Sequence, residues 1–186
     1  MSLALLMEIE DKKEQLSQID AQLDEKIRDK AAFELALACH NFRKFFETHK
    51  FKVEETLEEG NRALTAYYGG LKATLHYNPA QQSAGAYAVL YLSVKLSRNE
   101  KYKIMLQRRE SSRLDINVAA LGYSLKDVPE TQQGQELERL QKQIQSNEER
   151  LANFDQEQWS YTIMTDKDSP SGSFSSMMEI LVYLIR

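Results

Sequence analysis

The chain has 186 residues, with 24 Lys or Arg against 28 Asp or Glu, seven Gly and three Pro. That length fits one domain, or one domain plus an extension, and its 42% hydrophobic residues suffice for a core, which excludes a disordered tail. The mean hydropathy of -0.55 is low for that apolar content, so much of the charge must lie on long solvated faces, as in extended helix.

The single Cys39 cannot form an internal disulfide, and its neighbours Ala38 and His40 give no zinc spacing, so a reducing compartment is expected. The apolar start Met1 to Met7 is short and runs directly into Glu8, Glu10 and Asp11, unlike a secretory signal. No apolar run approaches the roughly 20 residues of a membrane span. A soluble cytoplasmic protein with no membrane contact is the expectation.

Charge divides the chain into three regions. Residues 1–60 carry nine basic and fourteen acidic side chains, 61–128 carry ten and four, and 129–186 carry five and ten. The balance therefore runs -5, +6, -5, an asymmetry that speaks to partners or self-association rather than to fold. These regions also serve as the expected organisation: a helical region, a basic sheet region, and a mixed C-terminal region. Residues 61–186 should form one globular unit with part of 1–60.

The first 59 residues contain no Gly or Pro. Apolar residues recur at helical spacing through Leu6, Ile9, Leu16, Ile19, Leu23, Ile27, Ala31, Leu35, Ala38, Phe42 and Phe45. This predicts a long amphipathic, coiled-coil-like helix. Three consecutive four-residue steps from Leu23 to Leu35 break a strict heptad, and Lys12 and Lys13 weaken the seam. A bend is expected near Thr48 to Phe51, then a second helix from Val53 to Tyr68.

An antiparallel sheet of about four or five strands should follow. Leu71, Ala73, Leu75 and Tyr77 alternate with polar residues before the Asn78-Pro79 turn. Further strands are expected at Ala86 to Leu96, Tyr102 to Arg108 and Leu114 to Val118. Pairing Leu96 with Tyr102, Val94 with Ile104 and Leu92 with Leu106 makes one face apolar and the other mixed. After Pro129 and Gly134, Leu137, Leu140, Ile144, Leu151 and Phe154 predict a second coiled-coil helix with polar Asn147 in its seam. A strand at Trp159, Tyr161 and Ile163 comes next, then a loop from Asp166 to Gly172. Ser176-Met177-Met178-Glu179 matches a capping box opening a short final helix, with a buried strand as the alternative. The architecture expected is α+β. Its order of elements is broadly similar to that of small acidic dimeric secretion chaperones, although the basic centre departs from them.

Local chemistry points away from catalysis. Cys39 and His40 are adjacent on a helix and point about 100° apart. His49 lies on the opposite helix face from His40, and His76 on a strand, so the three do not make a metal site. The Asp166-x-Asp168 loop has Pro170 and Met177 where calcium ligands are needed. Gly69-Gly70 reads as a helix C-cap or turn. No enzyme, metal or cofactor is expected.

Two surfaces stand out instead. The stripe Leu6, Ile9, Leu16, Ile19, Leu23 and Ile27 exceeds what the second helix can cover, so a second copy of the chain is the expected partner. The polar sheet face should carry Tyr87, Tyr91, Lys95, Lys103, Gln107 and Arg109, with Arg98, Lys101 and Arg113 at its margin. Such cations interleaved with rings suit single-stranded nucleic acid or an acidic partner. Against this, the pI near 5.5 and the lack of RNA-recognition aromatic motifs favour solvation or pairing with acidic helices. The leading expectation is a non-enzymatic interaction or assembly module that dimerises through its helices and presents its sheet to a protein partner. The alternative is nucleic-acid binding by the basic, Tyr-containing sheet face.

Overall fold

The computed structural model describes residues 3–58, 60–78, 86–96, 99–109, 130–164 and 170–185. The expected strand Leu114 to Val118, the margin residues Arg98 and Arg113, Pro79 of the expected turn and the Asp166 to Asp168 segment lie outside them. The fold is α+β: a long helix α1 (Leu3–Thr48), strands β1 (Lys52–Glu58), β2 (Asn61–Tyr68), β3 (Leu71–Tyr77), β4 (Ala88–Lys95) and β5 (Asn99–Arg108), helix α2 (Glu130–Asn153), strands β6 (Trp159–Met164) and β7 (Pro170–Phe174), and helix α3 (Met177–Leu184). Among the described residues no helix is long and apolar enough to cross a membrane.

By contacts the chain divides into two units. The first comprises residues up to Arg28 of α1 together with Ile116–Glu157. Here α2 runs parallel to α1. Lys13 lies near Glu136, Asn147 Nδ2 donates to Asp20 Oδ1 at 2.7 Å, and Lys26 Nζ pairs with Asp155 just beyond α2 at 3.5 Å, so these partners advance together along the two segments, while Gln15 Nε2 also reaches Glu148 Oε1 at 3.2 Å. Ile9, Ile19 and Leu23 of α1 and Leu140, Ile144 and Phe154 at the other helix are buried. Much of the stripe expected to need a second copy is therefore covered within the chain. The stripe could not reveal this, because a helix face shows that it needs cover and not which segment supplies it.

The second unit comprises Asp29–Asp115 and Gln158–Arg186. Among the described residues its sheet has seven strands in the order β1-β2-β3-β4-β5-β6-β7, every neighbouring pair antiparallel, rather than the four or five expected. The additional strands come from two corrections. Val53 to Tyr68 is not a helix but the hairpin β1-β2, turned at Gly60 with φ of 82°, a left-handed conformation that glycine adopts without steric cost. Pro170 to Gly172, read as loop, opens the edge strand β7, where Pro costs no ladder hydrogen bond on its free side. Of the two alternatives for Gly69-Gly70 it is the turn and not the helix cap that is present: Gly69, at φ of 58°, turns β2 into β3.

The bend after Thr48 is present. Lys50 takes φ of 67°, and the Phe51 and Lys50 amides donate back to Phe46 O and Glu47 O, closing the helix C-terminus. The β4-β5 register differs from the expected one: Leu92 faces Tyr102 and Leu90 faces Ile104, with Lys95 opposite Asn99. That is a slip of four along the partner strand. An even slip keeps every side chain on its own face. At the C-terminus Ser176 caps α3 by accepting from the Glu179 amide, while the Glu179 carboxylate accepts from Ser175 N and Oγ. These bonds hold the Glu179 carboxyl below the usual carboxylate range.

The core lies between the second half of α1 and one sheet face. Ala31, Leu35, Ala38, Phe42 and Phe46 are buried, as are Leu64, Ala66, Ala73, Leu75, Leu90, Leu92, Ile104, Leu106, Tyr161 and Ile163. Tyr161 Oη donates to Glu34 O at 2.9 Å and lies 3.1 Å from the Glu34 carboxylate; burial pushes its pKa up, so the phenol stays a neutral donor. Arg43 pairs with Glu55 of β1 at 3.3 Å. Replacing Phe42, fully buried, with Ala should cost about 3–5 kcal/mol, whereas Phe33→Ala at a 66% exposed position of the same helix should cost under ~0.5 kcal/mol. Urea denaturation of the two variants checks this.

Candidate binding face of the sheet

Strand alternation sends the residues between the core positions to the opposite, outer face. Register places them in rows across β3, β4 and β5: Lys72, Lys95 and Asn99; Thr74, Ser93 and Lys101; His76, Tyr91 and Lys103. With strands about 4.8 Å apart and two residues spanning about 7 Å, this grid measures roughly 10 by 14 Å.

Lys72, Lys95 and Lys101 are exposed and make no ion pair among the described residues. Lys72 stands directly opposite Lys95, a cross-strand pairing of like charges that destabilises a sheet. Among the described residues, the acidic side chain aligned with the grid is Glu54 of β1, in the row of Thr65 and Thr74. It is already engaged by Lys52 Nζ at 2.8 Å and by the Tyr67 hydroxyl, which holds its carboxyl low. His76 and Tyr91 stack with ring centroids 5.2 Å apart and planes 15° from parallel. Partial desolvation keeps the His76 pKa below the ordinary histidine value, so near neutral pH its ring is uncharged. Tyr91 rests on Ala86, Val89 and Met105, a small apolar cluster on this face, which braces the stacked pair.

The face expected from sequence is thus partly assembled. Tyr91, Lys95, Lys101 and Lys103 come together. Tyr87 does not join them: the chain at Ala86-Tyr87 departs from strand alternation, and Tyr87 stacks on Trp159 at 4.3 Å, with Lys30 of α1 over that indole at 5.1 Å. Arg109 stands apart as well, held through its amide to Gln158 O and its guanidinium to Gln158 Oε1. Lys72 and His76 complete the grid instead. Their alternation on β3 was readable, but they join the face only once β3 is paired with β4.

Elsewhere, the Cys39 thiol sits in hydrogen-bond contact with Tyr77, and burial pushes the thiol up and the phenol to about 12. Neither is poised as a nucleophile near pH 7. Among the described residues no group of three or more His, Cys, Asp or Glu converges as a metal site requires. Together these features define an α+β protein with a helix-backed antiparallel meander and an open cationic face. No family model, curated protein or solved structure matches the chain.

Because Lys72 and Lys95 repel, Lys95→Glu should stabilise the protein by a few tenths to about 1 kcal/mol at low salt. The gain should vanish near 1 M salt, where the screening length is about 3 Å. Thermal unfolding of wild type and variant across a salt series measures both effects.

Proposed function

We propose that the protein is a non-enzymatic interaction module that binds an anionic macromolecular partner on the outer face of its sheet. The observation that carries this reading is the Lys72-Lys95 opposition beside Lys101, with no carboxylate among the described residues paired to either. An arrangement that costs stability in the free protein is relieved when an anion docks, so the repulsion becomes differential binding energy. The hydroxyl row of Thr74 and Ser93 adds neutral donors between the cations.

Retention on a heparin matrix at about 50 mM salt is the direct test, heparin serving as a generic polyanion. Wild type should be retained and elute as salt rises. The double variant Lys72→Glu, Lys95→Glu should pass through while remaining folded. Wild type that is not retained, or a double variant that binds as well as wild type, would defeat the proposal.

A second reading, homodimerisation through coiled-coil-like helices, is supported by apolar side chains that α1 leaves bare. Phe33 and Leu37, one turn apart, are 66% and 39% exposed. Leu3 and Met7 are likewise open, at 72% and 61%. Leu23 lies buried inside the chain, so its mutation reports on folding rather than on association. Light scattering at micromolar concentration should give a dimer mass that Phe33→Asp with Leu37→Asp reduces to a monomer mass; a wild-type monomer sinks this reading.

A further inference from the structure

We infer that the anionic partner of the outer face is a single-stranded nucleic acid, held by phosphate contacts from Lys72, Lys95 and Lys101 and by a base stacked on the His76-Tyr91 ring pair. This rests on the reading of the face as an anion-binding surface and names the partner class. The cations alone do not discriminate, since acidic peptides, sulfated chains and nucleic acids all satisfy them. The rings do.

His76 and Tyr91 form an offset, near-parallel stack at 5.2 Å and 15°. Tyr91 is braced by Val89 and Met105, its neighbours on the same face, while His76 remains exposed. The imidazole therefore extends a fixed phenol ring into solvent as a two-ring platform. It is kept uncharged near neutral pH by partial desolvation, which suits it to stacking rather than to ion pairing.

The grid gives each group its place. The platform occupies one row, Lys101 the next, and Lys72 and Lys95 the third, so a ring row is followed by two cationic rows at steps of about 7 Å along the strands. An extended single strand can lay an exposed base on the ring row and its phosphates over the two cationic rows. Bases in a duplex are stacked on one another and present no free face, so a duplex can use the lysines but not the platform. An acidic peptide likewise leaves the platform unused.

Fluorescence anisotropy of the full chain with labelled oligo(dT) and oligo(U) of roughly 12 nucleotides tests the inference, with a duplex of equal length and heparin as comparison probes. Both single strands should bind at about 50 mM salt. Log affinity should fall against log salt with a slope near -2, from about 0.7 per neutralised phosphate over three lysines. His76→Ala should weaken single-strand binding roughly tenfold, the loss of one stacking contact, and leave heparin and duplex binding unchanged. Tyr91→Leu keeps the apolar brace but removes the ring and should do the same, which guards against a fold effect peculiar to either variant. If heparin binds and the single strands do not, or if both ring variants bind oligonucleotide as tightly as wild type, the inference fails while the anion-binding reading stands. If no polyanion binds, both fall.

Discussion

The packing of α1 against one face of the sheet is the constraint on which the rest of the second unit depends. Ala31, Leu35, Ala38, Phe42 and Phe46 supply a continuous apolar stripe, with small residues at positions 31 and 38 that let helix and sheet approach. Every strand must then turn its apolar side chains toward that stripe, and period-two alternation fixes what the opposite face receives. Tyr161 shows how tightly the arrangement is held. Its ring is buried in the layer, and its hydroxyl satisfies a backbone carbonyl of the helix that covers it. A sheet committed in this way on one side has one broad surface left on which to evolve a different property.

That surface has not been tuned for stability. Exposed faces of antiparallel sheets commonly gain from paired opposite charges, and on β1 Lys52 pairs with Glu54 along the same strand while the Tyr67 hydroxyl of β2 donates to that carboxylate. On the next two strands the pattern is abandoned: Lys72 of β3 faces Lys95 of β4, and Lys101 lies on β5 beside them. The net charge of -4 would suggest a protein that repels polyanions. At physiological salt, however, exposed charges beyond about 8 Å are largely screened, so an approaching anion senses the local grid more than the sum. The total charge informs solubility; the register informs recognition.

The same distinction explains how much the sequence disclosed. The apolar periodicity of α1 and α2, the capping box at Ser176 and the alternation of β3, β4 and β6 were all legible, because each rests on residues close in sequence. The faces of the β4-β5 hairpin survived a four-residue error in register for a simple reason: parity is encoded in each strand, whereas register depends on the connection between them. The region from Val53 to Tyr68 was misread because Glu, Leu and Ala suit a helix as readily as a paired strand. Gly60 in its midst, followed by Thr65, Tyr67 and Tyr68, was the signal for a hairpin. Lys72 and His76 were missed as site residues because membership of a face spanning three strands is a property of pairing. Tyr87 was misassigned because nothing in its neighbours announces the irregularity at Ala86.

The placement of α2 between β5 and β6 bears on how these parts can act. Strands β5 and β6, adjacent in the sheet, are separated in the chain by residues 109–158, of which α2 belongs with the N-terminal part of α1. Closing so long an excursion costs only logarithmically more than closing a short one, so the meander tolerates it. In return, α2 gains a partner helix from the opposite end of the chain, with Asn147 and Asp20 bonded at a half-buried position of the pair. A polar pair there contributes little to stability and much to alignment, since a shift by one turn would leave both groups desolvated without a partner. The first unit is thus specified by its own side chains and contributes none of the grid residues.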